Sequence, residues 1–317
     1  MQKRFLFSKM LRAILLSFTV LLSGCKTANE NGKKTLVLAT YTYSTNNRIA
    51  NLKPLAKVLE RQLNKSIGIV SYPDVPSFIN AIDSNQVDIG FINTLGYLVL
   101  SLDNKNMIPA ATLHVKENAK DNYKTVLLGK AGIADNMDSI LKKSEELKIS
   151  FVAPGSTSGN LIPRLFLSSV GIQFPEKQFK QVDYAGNHQV AIDNLVTGKT
   201  DVCAVGSNAY HKKIEIDSTL QKSTSVLWIS NEIPLGPVLL NKEIPAPERL
   251  EIAHILSSLH EIDPEALEAF KAGWSEANQT EYFMPINDTY YQEFRELNGN
   301  QEALRKTLGF FHDILFQ

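Results

Sequence analysis

Residues 80–97 and 193–210, 113 positions apart, carry one pattern: a helical run, a turn, an aspartate, an apolar strand, a polar turn and a tyrosine. Asp88 falls on Asp201 and Tyr97 on Tyr210, two identities in 18 aligned positions, so the weight rests on the shared order of elements. A strand that ends in a polar turn at the head of a helix is the unit of an open α/β sheet, and such sheets bind ligands at the carboxyl ends of their strands. Two such units imply two similar lobes with a cleft between them, a natural place for a small ligand. Turn chemistry makes Asp88 and Asp201 turn formers before it makes them acids or ligands.

The rest of the chain fits an α/β fold with mixed, mostly parallel sheets. Strands are expected at 35–40, 67–72, 87–93, 108–115, 125–129, 149–153, 179–185, 226–230 and 238–240, where apolar residues run continuously between polar turns. Helical spacing predicts helices after residue 47, with Leu52, Leu55, Val58, Leu59 and Leu63 on one face, and at 78–82, 160–170, 189–197, 247–260, 264–272 and 290–308. Residues 35–125 and 227–317 are assigned to the first lobe and 126–226 to the second. Trp274, Phe283 and Tyr290 are read as packing residues.

One turn stands out. Pro154-Gly155-Ser156-Thr157-Ser158-Gly159 joins an apolar strand to a helix that carries Pro163 near its start. The first amides of a helix lack intrahelical partners and sit at the positive end of its dipole, so an anion can bind there without Lys or Arg. Three hydroxyls at the same place add donors, although Ser and Thr also serve as ordinary N-caps. A second turn, Gly186-Asn187-His188, opens the helix at 189–197. His188 there is either a capping or surface residue, or a donor whose pKa the helix dipole lowers and a bound anion raises. Arg164 is expected in a surface or interlobe ion pair, with a place near the anion as the alternative.

The chain begins with Lys3, Arg4, Lys9 and Arg12 ahead of an apolar run at 13–22, the pattern of a secretory signal peptide and too short for a membrane span. Residues 1–24 are set aside from the fold, and 25–34 are polar enough to be a tether. Without the four leader cations the chain holds 29 basic and 33 acidic residues, a net of −4, so no basic patch calls for nucleic acid. An anionic ligand would be held by local geometry. The other cysteine, Cys203, lies among apolar neighbours and reads as a buried thiol.

Leu22-Ser23-Gly24-Cys25 resembles the lipobox of bacterial lipoproteins, which implies lipidation of Cys25 and a membrane anchor. Ser156-Thr157-Ser158-Gly159 with Leu161, Pro163 and Leu167, then Gly171-Ile172, Tyr184-x-Gly186-x-His188, Gly198-x-x-Asp201 and Ile233-Pro234 with Pro237, resemble the phosphate/phosphite/phosphonate-binding periplasmic lipoproteins of ABC transporters. The likeness runs from about residue 35 to about residue 260. It implies a two-lobed, type II periplasmic binding protein fold joined by a hinge. It also implies a small phosphorus oxyanion held by Ser156, Thr157, Ser158 and His188, and an ABC permease as partner. First-lobe turns complete the grip in that family, which suggests Tyr41 or Tyr43, Thr94 and Tyr97. The turns that supply carboxylates to aminoalkylphosphonates in some members are Gly206-Ser207-Asn208-Ala209 and Leu235-Gly236 here; they hold no acid, and Glu232 is the nearest. A compact oxyanion is therefore expected.

Other classes have less support. Gly155-Ser156-Thr157-Ser158-Gly159 has threonine where a Gly-x-Ser-x-Gly nucleophile elbow has serine, which weighs against a serine-type hydrolase. No His-Glu-x-x-His, Cys-x-x-Cys or phosphate-loop pattern occurs, so neither metal nor cofactor is expected. A monomeric binding protein is the reading, with a ligand-binding subunit of a sensor or receptor as the alternative.

Overall fold

Apolar runs between polar turns become strands, and amphipathic runs become the helices that cover them. The computed structural model describes residues 35–117, 119, 122–297 and 308–309. The leader, the Cys25 lipobox, the tether and most of the helix expected at 290–308 lie outside the described residues.

The chain first forms β1 (Leu36–Tyr41), α1 (Ile49–Leu63), β2 (Ile67–Tyr72), α2 (Val75–Asp83), β3 (Ile89–Phe91), α3 (Thr94–Asp103) and β4 (Met107–Val115). It then forms β5 (Thr125–Lys130), α4 (Met137–Lys143), β6 (Lys148–Phe151) and a π turn (Thr157–Leu161) that runs on into α5 (Ile162–Ser169). After these come α6 (Pro175–Gln178), β7 (Gln181–Tyr184), α7 (His188–Thr197), β8 (Val202–Gly206), α8 (Ser207–Ile216), α9 (Leu220–Ser223) and β9 (Thr224–Ile229). The last run is β10 (Val238–Asn241), α10 (Ala246–Ser257), α11 (Leu259–Ile262), α12 (Pro264–Lys271), β11 (Thr280–Pro285) and α13 (Gln292–Leu297).

These strands make two sheets, β11-β4-β10-β3-β1-β2 and β7-β6-β8-β5-β9. Both are mixed. β1 pairs in parallel with β2 and β3, and β6 with β7 and β8, while the other five pairings among the described residues are antiparallel. The expectation of mostly parallel sheets is corrected for a definite reason: every strand that carries the chain between lobes runs against its neighbours. β10 arrives from the second lobe and inserts between β3 and β4; β5 arrives from the first and inserts between β8 and β9. The chain passes from the first sheet to the second after β4 and back again after β9.

The inner strands of each sheet are buried on both faces. Leu36 and Leu38 of β1 enter one core while Ala39 and Tyr41 enter the other, as the period of two requires. β8 does the same, with Val202 and Ala204 on one side and Cys203 and Val205 on the opposite one. α1 turns Leu52, Leu55, Val58 and Leu59 inward. The two aspartates of the repeat have equivalent roles: Asp88 accepts the Val37 amide at 2.8 Å and Asp201 the Lys148 amide at 2.9 Å, each tying the start of a central strand. Cys203 is a free, buried thiol. Trp274 and Phe283 pack in the first core, but Tyr290 is 38% exposed, and its neighbour Tyr291 takes the buried place expected of it.

Candidate functional site

The turn after β6 is unusual in its geometry. Its first intrahelical bond runs from the Leu161 amide back five residues to the Ser156 carbonyl, at 3.1 Å. A π turn is wider than an α turn and leaves one more amide at its start without an intrahelical acceptor. Ser156 is the N-cap, and its hydroxyl accepts the Gly159 amide at 3.1 Å. Gly159 is required here: a Cβ on it would lie 2.4 Å from a Val152 methyl. Ser158 is 1% exposed, and its Oγ has no hydrogen-bond partner. A buried hydroxyl left unmatched is uncommon because its lost hydration is not offset. Arg164 braces the turn from behind through Nε to Asn160 Oδ1 at 2.7 Å, while Asn160 holds the Pro154 carbonyl at 2.8 Å. Its guanidinium pairs with Glu176 at 2.5 Å and lies over the Phe151 ring; the arginine is buried, but Glu176 is 41% exposed, so the pair reaches the surface of the second lobe, as expected, and does not bridge the lobes.

His188 is the first residue of α7, with Asn187 capping the Val190 amide at 2.9 Å. Its Nδ1 accepts the Gly206 amide at 3.1 Å, which assigns the ring proton to Nε2 and makes that nitrogen a donor. Burial of the ring lowers its pKa to about 4, so the neutral form is the resting one. A Cβ on Gly206 would lie 3.6 Å from His188 Cε1 and 3.4 Å from Ser158 Oγ, so the second-lobe donors converge over one glycine. The Tyr43 ring faces His188 with centroids 6.1 Å apart, and its buried hydroxyl also lacks a partner. Burial raises the Tyr43 pKa, so the hydroxyl keeps its proton. Tyr41 is buried at the end of β1 with its pKa raised by burial.

Thr94 and Tyr97 do not join this group. The Thr94 hydroxyl donates to the Pro234 carbonyl at 2.6 Å, and the Tyr97 hydroxyl donates to the Asp288 carboxylate while its ring packs on Tyr291. Both serve the first lobe. Tyr123 joins the group from the segment before β5: burial raises its pKa, and its hydroxyl lies beside the hydroxyl and amide of Ser158, which act the other way. Arg48 and Glu276 were missed as well. Arg48 stands in a polar loop with nothing in its neighbourhood to mark it, and Glu276 follows the tryptophan assigned to packing.

A cavity of about 520 Å³ collects Tyr41, Tyr43, Arg48, Asn93 and Glu276 from the first lobe and Ser156, Thr157 and His188 from the second, with Tyr123 on the crossing; Ser158 lies one layer deeper. The lobes are already joined around it. Asn93 Nδ2 donates to the Gly155 carbonyl at 2.7 Å, Thr157 Oγ1 accepts the Leu95 amide at 3.0 Å, and Asn208 Nδ2 donates to the Ser275 carbonyl at 2.9 Å. Gly155 permits this approach, since a Cβ there would stand 3.1 Å from Val75. Among the described residues, no group of three or more His, Cys, Asp or Glu is arranged to hold a metal ion, and no helix is long and apolar enough to cross a membrane.

The family described as the periplasmic substrate-binding protein of phosphonate ABC transporters matches residues 38–289. The chain belongs to this family. A member described as the phosphate-import protein PhnD of Mycolicibacterium smegmatis is 29% identical over 184 residues, which cover 55% of this chain and 56% of that one. This chain thus spans little more than half the length of that relative. The phosphonates-binding periplasmic protein of Escherichia coli is 22% identical over 84% of this chain and 80% of its own. The structure of PhnD1 from Prochlorococcus marinus in complex with methylphosphonate shares the fold, with a TM-score of 0.66 at 16% identity over 83% of this chain and 96% of that one. The type II two-lobed architecture implied by the motifs is therefore the architecture of the chain.

Proposed function

We propose that this chain captures a small phosphorus oxyanion, a phosphonate, phosphite or phosphate, in the interlobe cleft and presents it to an ABC permease without catalysis. The observation that carries the reading is the pair of buried, unpartnered hydroxyls, Ser158 Oγ and Tyr43 OH, on either side of a histidine whose free ring nitrogen is a donor. A desolvated oxyanion needs nearly all of its lone pairs matched, and unmatched donors are what such a ligand satisfies. Ser156, Thr157, Ser158 and His188 supply the second-lobe contacts, and Tyr41, Tyr43 and Tyr123 supply the others. Charge-assisted hydrogen bonds contribute about 1.5 to 3 kcal/mol each, so a few of them support micromolar binding, about −8 kcal/mol.

The lobes are proposed to meet at 116–124 and 230–237, a few residues from the limits drawn on sequence alone, because β5 starts at Thr125 and β9 runs to Ile229. Export, removal of residues 1–24 and a lipid on Cys25 agree with the periplasmic setting of the family. Isothermal titration of the exported chain with phosphate, phosphite and methylphosphonate tests the reading. At least one of them is expected at micromolar Kd or tighter, and Ser158→Ala and His188→Ala each to weaken it tenfold or more. Full affinity in both variants rejects the site.

A further inference from the structure

Arg48 is the charged side chain of the cleft whose charge the protein leaves unanswered. Asp74 caps the Ser77 amide at 2.8 Å, Lys212 is exposed to water, and Glu276 is partly exposed. Arg48 is 3% exposed and pairs with no carboxylate among the described residues. Its Nε donates to the Gly273 carbonyl at 2.9 Å and its Nη1 to the Tyr41 carbonyl at 3.3 Å. Tyr41 and Trp274 cover the guanidinium, with ring centroids 4.7 and 4.5 Å from its central carbon. Of its five N–H donors, three meet neither a carbonyl nor a carboxylate of the protein. The backbone of Arg48 is left-handed, φ 60°, a conformation that non-glycine residues hold where the surrounding structure fixes them, often at binding sites.

A buried cation without an anion is costly, and Arg48 lines the cavity from the first lobe whereas Ser158 and His188 come from the second. The Tyr43 ring neighbours both places, 5.6 Å from the Arg48 guanidinium and 6.1 Å from the His188 ring. The space is also larger than one tetrahedral anion needs. The cavity measures about 520 Å³ with the interlobe hydrogen bonds across it already made.

We propose that the ligand carries a second anionic group, a carboxylate or another phosphorus oxyanion on a short carbon linker, and that Arg48 is the residue that pairs with it. The inference rests on the oxyanion reading above and adds the chemistry of the ligand's far end. A planar guanidinium with its faces covered and three N–H donors not taken by carbonyls or carboxylates suits two-point recognition of such a group. Glu276 makes the competing case for a cationic end, but it is partly exposed where Arg48 is buried, so its charge is the less costly of the two to leave unpaired.

The test is a titration series on the full exported chain with methylphosphonate, phosphonoacetate, methylenediphosphonate and 2-aminoethylphosphonate. The wild type is expected to bind phosphonoacetate or methylenediphosphonate at least tenfold more tightly than methylphosphonate, and which of the two wins identifies the second group. In Arg48→Gln that ratio is expected to fall towards one, and Arg48→Lys to fall between. A wild type that prefers methylphosphonate or 2-aminoethylphosphonate overturns the proposal even if Arg48→Gln does not fold. So does an Arg48→Gln variant that weakens every ligand by the same factor. A wild type that binds none of the four overturns this proposal, and the oxyanion reading falls with it when phosphate and phosphite fail to bind as well.

Discussion

The polar turns of the internal repeat and the polar turns outside it use the same residue types to opposite ends. Thr94 and Ser207 occupy equivalent positions after β3 and β8, and each sends its hydroxyl to a crossing segment: Thr94 to the Pro234 carbonyl at 2.6 Å, Ser207 to the Asn122 carbonyl at 3.1 Å. Their tyrosines follow suit, Tyr97 bonding Asp288 and Tyr210 meeting Thr224 at 3.1 Å. In the turn at 156–158 and in α7 the hydroxyl of Ser158 and the Nε2 of His188 are left over. A hydroxyl at a helix start is therefore available to a ligand only where no nearby carbonyl claims it. The repeat built the clamp on the hinge, and the odd turns hold the donors.

That contrast can be broken at the clamp first. A Cβ on Gly236 would lie 1.9 Å from the Ile92 carbonyl oxygen, so Gly236→Ala should cost about 3 kcal/mol or more in a denaturant melt. A smaller loss would mean that the crossing is looser than its hydrogen bonds imply. The equivalence of the repeat is tested next. Asp88→Ala and Asp201→Ala each leave a strand-start amide without its carboxylate and should each destabilise by about 1–3 kcal/mol. A cost confined to one of them would argue against two lobes built alike.

Ser158→Ala and Thr94→Val separate the two kinds of hydroxyl. The first removes an unmatched group and should leave the ligand-free melt unchanged or raise it, by up to about 1 kcal/mol. The second orphans the Pro234 carbonyl and should lower it by about the same amount. Opposite signs sharpen the comparison, and equal losses erase it.

The smallest effect is on pH. Burial depresses the His188 pKa from 6.5 to about 4, so between those values the unfolded chain binds the proton and the folded chain does not. Stability is full above about pH 6.5 and falls as pH drops towards 4, by on the order of 1 kcal/mol after allowance for partial exposure. His188→Gln should flatten that slope in melts at pH 7 and pH 5. An unchanged slope would place the titrating group elsewhere.

Periodicity made the scaffold readable. Residues 67–72 are a strand as read, and the buried face of α1 holds four of the five leucine and valine positions chosen for it, Leu63 being only partly buried. Strand direction was not readable, because a parallel and an antiparallel buried strand share one apolar pattern and only the crossings decide between them. β11 escaped because Thr-Glu-Tyr-Phe-Met-Pro alternates too weakly to stand out from a loop. In the site, the hydroxyl turn and His188 were legible from local chemistry. Thr94 and Tyr97 were misjudged because their acceptors, Pro234 and Asp288, come from well over a hundred residues away in the chain. Arg48, Tyr123 and Glu276 reach the cleft by the path of the chain in space, and spacing along the sequence carries no trace of that.

The chain has two tryptophans, and the fold has given them unlike neighbours. Trp274 lies against the Arg48 guanidinium, whereas Trp228 is stacked on Phe166 in the other lobe at 4.0 Å. Indole emission is sensitive to nearby charge, so any change at Arg48 is written into the spectrum of Trp274 while Trp228 supplies a steady background. The molecule thus contains its own optical reporter and its own reference, with no label needed to follow events in the cleft.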